Sequence, residues 1–289
     1  MITTDRLSNG HPVQNGRGRA TEADVYMAVP TIDRRGSMPS AVLEDDSLLD
    51  LTVFVSCHNE ADHIVNTLDT ICAAANELRL SFEIIVVDDR SRDDSSQVVR
   101  GYIDAHPHEN VILRTNRTNR GLAQNYLDAA FLGKGRYYRL VTGDSPESKE
   151  NMMQVLSEIG QADCIVPYYE HNRGRKPYRR WISNGFTAVV NWITGNSIHY
   201  YNGLSVHRRK NVQRWHTNTK GFGFQTEILC LLLDNGHTYK EVAIELPVSA
   251  FASQDRESRA FNIRNLLSVT HTVVEVTFRR LSDHVYGRR

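Results

Sequence analysis

From residue 51 to residue 167 the chain alternates short, almost wholly apolar runs with longer amphipathic ones, and this alternation limits the fold more than any other feature. Residues 51–56, 82–87, 111–113, 137–141 and 164–167 read as strands. The run at 82–87 is nearly continuous in apolar side chains, which suits a parallel sheet covered on both faces. Ile64, Leu68, Ile71, Ala75 and Leu78 recur at three- and four-residue steps, one face of a helix, with Asn59 expected to cap it ahead of Glu60. Asp93 or Asp94 is expected to cap the next helix, whose inner face is Val98, Val99, Tyr102 and Ile103. Gly121 leads into a third helix through Leu122, Tyr126, Ala129 and Ala130, and residues 149–159 give a fourth. Strands alternating with helices predict a doubly wound α/β fold: a Rossmann-like, mostly parallel sheet flanked by helices.

Such sheets bind ligands outside the carboxyl ends of their strands. That rule selects residues 57–60, 88–94 and 143–147, all rich in acidic or polar groups. Asp88-Asp89 follows a fully apolar strand, where two carboxylates can accept hydrogen bonds from a nucleobase or ribose, or hold a metal. Asp and Ser also serve as plain turn and cap residues. Gly143-Asp144-Ser145-Pro146-Glu147 offers a close turn and hard oxygen ligands at Asp144 and Glu147, suited to Mg²⁺ or Mn²⁺. The basic run from His171 to Arg180 enters a helix and makes a phosphate site, a solvated basic face or a nucleic-acid patch. Formal charge is balanced, with 34 basic and 34 acidic residues, so composition itself supports no nucleic-acid partner.

The second half is less regular. Residues 177–194 and 224–234 read as helices, the latter stopped by Asn235-Gly236, with short strands at 205–207 and 238–246. The tail from Phe261 is one long helix or two pieces. Its arginines beside apolar residues suit packing on the domain, a homo-oligomer contact, or peripheral membrane contact. The expected organisation is a disordered arm at 1–48, a main domain at 49–250, and a loop with a C-terminal helical extension at 251–289. The four cysteines are far apart and form no CxxC pair, which argues against a zinc site or disulfide framework and for a reduced, cytoplasmic setting. Residues 1–20 have no apolar centre and no run approaches membrane-spanning length, so neither a signal peptide nor a transmembrane helix is expected.

In their order, these motifs resemble those of the family 2 glycosyltransferases of the GT-A fold, closest to the dolichyl- or polyprenyl-phosphate sugar synthase branch. Asn59-Glu60 keeps the end of the family's Pro-x-Tyr-Asn-Glu segment, with Ser56 and His58 in place of Pro and Tyr. Asp88-Asp89-Arg90-Ser91 resembles Asp-Asp-Gly-Ser, with Arg90 in place of Gly. Asn119-Arg120-Gly121, followed by Ala123 and Asn125, resembles the family's Asn-x-Gly region, and Gly143-Asp144-Ser145 keeps one Asp of its Asp-x-Asp metal motif. The segment from Tyr201 to Arg209 is similar to a glycine-containing stretch ending in a basic pair. Gln225-Thr226-Glu227 resembles Gln-x-Glu, and Arg256-Glu257-Ser258-Arg259 a phosphate-contacting loop.

The resemblance implies inverting transfer of a sugar from a nucleotide-sugar donor, with a lipid phosphate as acceptor. The alternatives are a hydroxyl acceptor or a non-catalytic nucleotide-sugar-binding protein. It implies catalytic roles for Asp144, Glu227 and Arg179, with Mg²⁺ or Mn²⁺ at Asp144. Donor contacts would come from Ser56, His58, Glu60, Asp88, Asp89, Gly121, Gln124, Arg256 and Arg259. Phosphate or acceptor contacts would come from Arg175, Arg180, Ser183, Arg208 and Gln225.

Overall fold

The computed structural model describes residues 48–145, 147–170, 177–215, 223–245 and 263–286. In chain order these form β1 (Leu49–Cys57), α1 (Ile64–Glu77), β2 (Phe82–Asp88), α2 (Ser95–Ala105), β3 (Val111–Thr115), α3 (Leu122–Leu132), β4 (Gly135–Thr142), α4 (Lys149–Leu156) and β5 (Cys164–Tyr169). Then come α5 (Pro177–Thr194), β6 (Val206–Arg208), α6 (Arg209–Gln213), α7 (Phe224–Asp234), β7 (Tyr239–Ile244) and α8 (Ile263–Val285). The strands make one seven-stranded sheet in the order β3-β2-β1-β4-β6-β5-β7. β1 lies between β2 and β4, parallel to both, so the carboxyl ends of three consecutive neighbours emerge side by side. β6 runs antiparallel to β4 and β5.

The apolar strands are covered on both faces, as their composition requires. Leu51, Val53, Val55, Ile84 and Val86 pack with Ile64, Leu68 and Ile71 of α1, Val99 of α2 and Met152 and Val155 of α4. Phe54, Ile85, Val87, Tyr138 and Leu140 pack on the other face with Tyr126 of α3, Ile228 and Leu229 of α7 and Val276 of α8. Each such side chain contributes about 1.5–3 kcal/mol on burial.

Local expectations changed in three places. α1 begins at Ile64, because Asn59 takes a left-handed φ of 60° and its side chain accepts from Arg92 N at 2.7 Å instead of capping a helix. At α2 the Asp93 carboxylate accepts from Ser95 N at 3.1 Å, while Asp94, the N-cap residue, makes no side-chain cap bond. The tail is one helix, α8, in its described part. Residues 1–47, the run 171–176 with Arg175, and 246–262 with Arg256 and Arg259 lie outside the described residues, as does the side chain of Arg179.

Arg139, on β4, is fully buried; its Nη2 donates to both oxygens of Glu147 at 2.8 and 2.9 Å and its Nε to Leu204 O at 3.2 Å. Glu147 is thus the counter-ion of a buried guanidinium, which corrects its reading as a second metal oxygen. Removing one partner of such a pair strands the other charge in the core. Glu147→Ala is expected to lower the unfolding free energy by about 3–5 kcal/mol, and Arg139→Met/Glu147→Leu to recover most of that loss. Urea denaturation of the three proteins measures both. A double variant as unstable as the single one would contradict the account.

His207 lies buried in β6, its Nδ1 3.4 Å from Cys164 Sγ, and burial pushes its imidazole down to a pKa of about 4. In the unfolded chain the same group titrates near 6.5. Between those values the unfolded state binds the proton and the native state does not, so stability falls as pH drops from about 6.5 toward 4. The urea midpoint should track that window, and His207→Gln should flatten it.

Candidate active site at the strand ends

The polar segments after β1, β2 and β4 meet because their strands are parallel neighbours. Gly143 allows the close approach: a Cβ there would lie 2.9 Å from both Ser56 O and Glu60 Cγ. Its N–H donates to Ser56 O at 2.8 Å, and its carbonyl accepts from Thr67 Oγ1 at 2.8 Å. Ser56 and Glu60 therefore stand directly against the turn that carries Asp144, which is exposed.

Asp88 and Asp89 are both buried and both act on neighbouring loops. Asp88 accepts from Ser91 N at 2.8 Å and from Ser96 Oγ. The Asp89 carboxylate accepts from Arg120 N and Gly121 N at 2.8 Å each and from Asn116 Nδ2 at 2.8 Å. Burial alone would raise its pKa, but these donors outweigh that effect and hold it below the ordinary carboxylate range. The Asn125 side chain adds a fourth donor, so the roughly four lone-pair sites of the carboxylate are taken up in holding the surrounding loop. The Asp89 backbone carbonyl faces His58 Nδ1 at 3.0 Å. A carbonyl only accepts, so Nδ1 carries the proton and Nε2 is left with the lone pair in the neutral ring. Gly121, at φ 82°, turns the chain from this cradle into α3.

Beside the cradle is an open cavity of about 400 Å³ lined by His58, Asn59, Arg90, Arg92 and Asn119. Two of the three non-glycine residues with positive φ among the described residues line it, Asn59 at 60° and Arg90 at 65°. A left-handed backbone costs most L residues roughly 1–2 kcal/mol, with Asn the common exception, and strained positions of this kind cluster at functional sites. Arg90 stands where the resemblance has Gly, so the chain bears this strain and gains a guanidinium in the cavity wall. Arg90, Arg92 and Asn119 were not among the expected site residues. The replacement of Gly by Arg after an acid pair was the signal that could have found them. Cys57, at the same strand end, is no nucleophile at neutral pH, because burial pushes its thiol up to about 11.

The other expected residues divide. Gln225 and Glu227 are buried in the first turn of α7. Between them Thr226 Oγ1 donates to Asn202 Oδ1 at 3.0 Å, and the neighbouring Gly203 packs so tightly on β5 that a Cβ would meet Pro167 O at 2.2 Å. Arg180 is exposed and Ser183 half-buried on α5. Gln124 is exposed, with Nε2 donating to Asp128 at 2.8 Å. Arg208 is at the wrong end of the sheet. β6 is antiparallel to β4, so Arg208 pairs with Tyr137 near the amino end of β4, where its Nε lies 2.7 Å from Asp163 Oδ1. It belongs to the sheet's lower edge and not to a phosphate site. The described residues hold no cluster of three His, Cys, Asp or Glu side chains for a metal. With Glu147 bound to Arg139, Asp144 is the one hard ligand of its motif. Mg²⁺ is often held by one or two carboxylates together with substrate phosphates, and Asp144 fits that mode.

The family model described as glycosyl transferase family 2 matches residues 52–215, from β1 through the cradle, Asp144 and β6. The chain belongs to glycosyl transferase family 2. Among curated family relatives it is 31% identical over 99 residues to a dolichyl-phosphate beta-glucosyltransferase of Dictyostelium discoideum, covering 32% of this chain and 30% of that protein. It is 26% identical over 164 residues to an undecaprenyl-phosphate 4-deoxy-4-formamido-L-arabinose transferase of Pseudomonas paraeruginosa, covering 56% and 48%. The chain thus spans half or less of these relatives' lengths. The mannosyltransferase of Pyrobaculum calidifontis, solved in complex with GDP-Man and Mn²⁺, shares the fold at a TM-score of 0.55 and 18% identity, covering 80% of this chain and 65% of that one. The GT-A architecture expected from the sequence is the one observed.

Arg90→Gly tests the strained position. It removes the left-handed penalty while adding unfolded-state entropy, so stability is expected to stay level or rise by up to about 1 kcal/mol. Urea denaturation reads this. A loss larger than about 1 kcal/mol would mean that the side chain holds the loop together.

Proposed function

We propose that this chain transfers a sugar from a nucleotide-sugar donor to a polyprenyl- or dolichyl-type lipid phosphate, with inversion at the anomeric carbon. The observation that carries the reading is the coincidence of the family 2 match with the cradle built on Asp89 and the cavity beside it. The lipid acceptor is supported by the curated relatives, whose names specify dolichyl and undecaprenyl phosphate.

In this reading the donor nucleotide occupies the cavity of His58, Asn59, Arg90, Arg92 and Asn119, with the loop held by Asp89 and the Ser56–Glu60 turn beside it. Asp144 would hold Mg²⁺ or Mn²⁺ together with the donor diphosphate, and the ion would supply positive charge to the leaving group. The Mn²⁺ in the Pyrobaculum structure supports the use of a divalent ion. Arg175, Arg179, Arg256 and Arg259 supply further charge for the departing diphosphate. An oxygen of the lipid phosphate attacks the anomeric carbon as the bond to the diphosphate breaks, which gives inversion. That phosphate is ionised at neutral pH and needs no general base. Gln225 and Glu227, buried at the start of α7, accordingly orient the acceptor. The work is done at the cytoplasmic membrane surface, where such a lipid is reached.

Incubation with radiolabelled UDP- and GDP-sugars and undecaprenyl or dolichyl phosphate tests this. Label is expected in the solvent-extractable lipid, with Asp144→Asn lowering kcat by about tenfold or more. Label appearing only on a water-soluble hydroxyl acceptor would overturn the lipid assignment. Donor binding without turnover on any acceptor would make the chain a nucleotide-sugar-binding protein.

A further inference from the structure

α5 and α8 each bury one face and leave an apolar stripe in solvent. On α5, Val190 is buried in the core, while Trp181 and Trp192 are 81% and 85% exposed. Eleven residues of helix turn through just over three full revolutions, so these two indoles project from one side. Ile182 and Val189 extend the same exposed stripe. On α8, Val276 faces the core, while Phe278, Leu281 and Val285 follow at three- and four-residue steps and are all exposed, Phe278 at 73%. The helices are joined next to these residues, where Arg280 Nη1 donates to Ile193 O at 2.6 Å. Scattered exposed apolar residues are ordinary, but contiguous stripes with two almost bare indoles mark a surface that meets something.

Charge identifies the occupant. α5 has no acidic residue in its 18 positions and carries Arg179 and Arg180 in its first turn, with Arg180 exposed. Anionic headgroups complement the cations, and the interface beneath them is where Trp side chains settle. No helix among the described residues is long and apolar enough to cross a membrane, so contact through this face lies in the plane of the surface.

We propose that the outer face of the α5–α8 pair docks on an anionic lipid bilayer, with Trp181 and Trp192 seated at headgroup depth. The choice of occupant rests in part on the lipid-acceptor reading, which it extends by naming the face turned toward the lipid. It also moves the membrane contact expected of the tail alone onto α5.

Cosedimentation with phosphatidylglycerol–phosphatidylcholine vesicles, with tryptophan emission read in parallel, tests it. The third tryptophan, Trp215, is buried, so an emission change reports on the two exposed indoles. The full chain is expected to bind the anionic vesicles with a shift to shorter wavelength, and to bind pure phosphatidylcholine more weakly. Trp181→Ser/Trp192→Ser should lower vesicle affinity by about tenfold or more, with far-UV circular dichroism and transfer to a short-chain, water-soluble polyprenyl phosphate unchanged. No vesicle binding, or binding indifferent to the double substitution, overturns the proposal. Concentration-dependent dimerisation in analytical ultracentrifugation that the substitutions abolish, without vesicle binding, assigns the face to a second copy and overturns it too. Vesicle binding without transfer to any polyprenyl phosphate would instead sink the lipid-acceptor reading and leave the docking face standing.

Discussion

The carboxyl end of the sheet is organised by the carboxylate of Asp89. It sits buried at the end of the parallel strand β2, where an unpaired anion would be strongly disfavoured. Three of its donors come from the segment between β3 and α3: Asn116, Arg120 N and Gly121 N. The adjoining backbone extends the same node. Asp89 N donates to Cys57 O at 2.9 Å, and Asn116 N donates to Asp88 O at 2.9 Å. One acid pair therefore binds the ends of β1, β2 and β3 and the start of α3 into a single floor.

The remaining features of the site follow from that floor. With β1 and β2 tied together, the chain after each must turn sharply, and Asn59 and Arg90 both take left-handed conformations to do so. Those turns open the cavity between them. On the other side of β1, Gly143 lets the end of β4 close against Ser56 and Glu60, which brings Asp144 to the same rim. The Arg139–Glu147 pair then anchors the segment after Asp144 to the interior of β4. Strained turns sit on a stiff sheet, which is the arrangement expected where a ligand must be held without reorganisation.

Much of this was legible in the sequence, because hydrophobic period dictates a parallel sheet almost directly. The strands at 82–87 and 137–141, the helix faces of α1 and α3, and the strand-end location of the polar motifs all follow from spacing. What escaped depends on partners distant in the chain. Nothing local indicates that Asn59 accepts from Arg92 N and so delays α1. The basic Arg208 resembles a phosphate ligand until β6 is seen to run antiparallel, which carries it to the opposite end. Glu147 resembles a metal ligand until the buried Arg139, eight residues earlier, claims it. Asp88 and Asp89 stand at the strand end where spacing places them, but a sequence does not reveal that most of their hydrogen-bonding capacity is used to hold the neighbouring loops.

The central claim is that Asp89 acts on the ligand chiefly by holding the Asn116–Gly121 segment in place. Native-state hydrogen exchange and nucleotide binding, measured together on Asp89→Asn, test it most directly. The account predicts that the Arg120 and Gly121 amides lose protection while those of α1 keep theirs, and that affinity for UDP or GDP falls by about tenfold or more. Lost affinity with both amides still protected would contradict it, and so would unchanged affinity with both amides exposed.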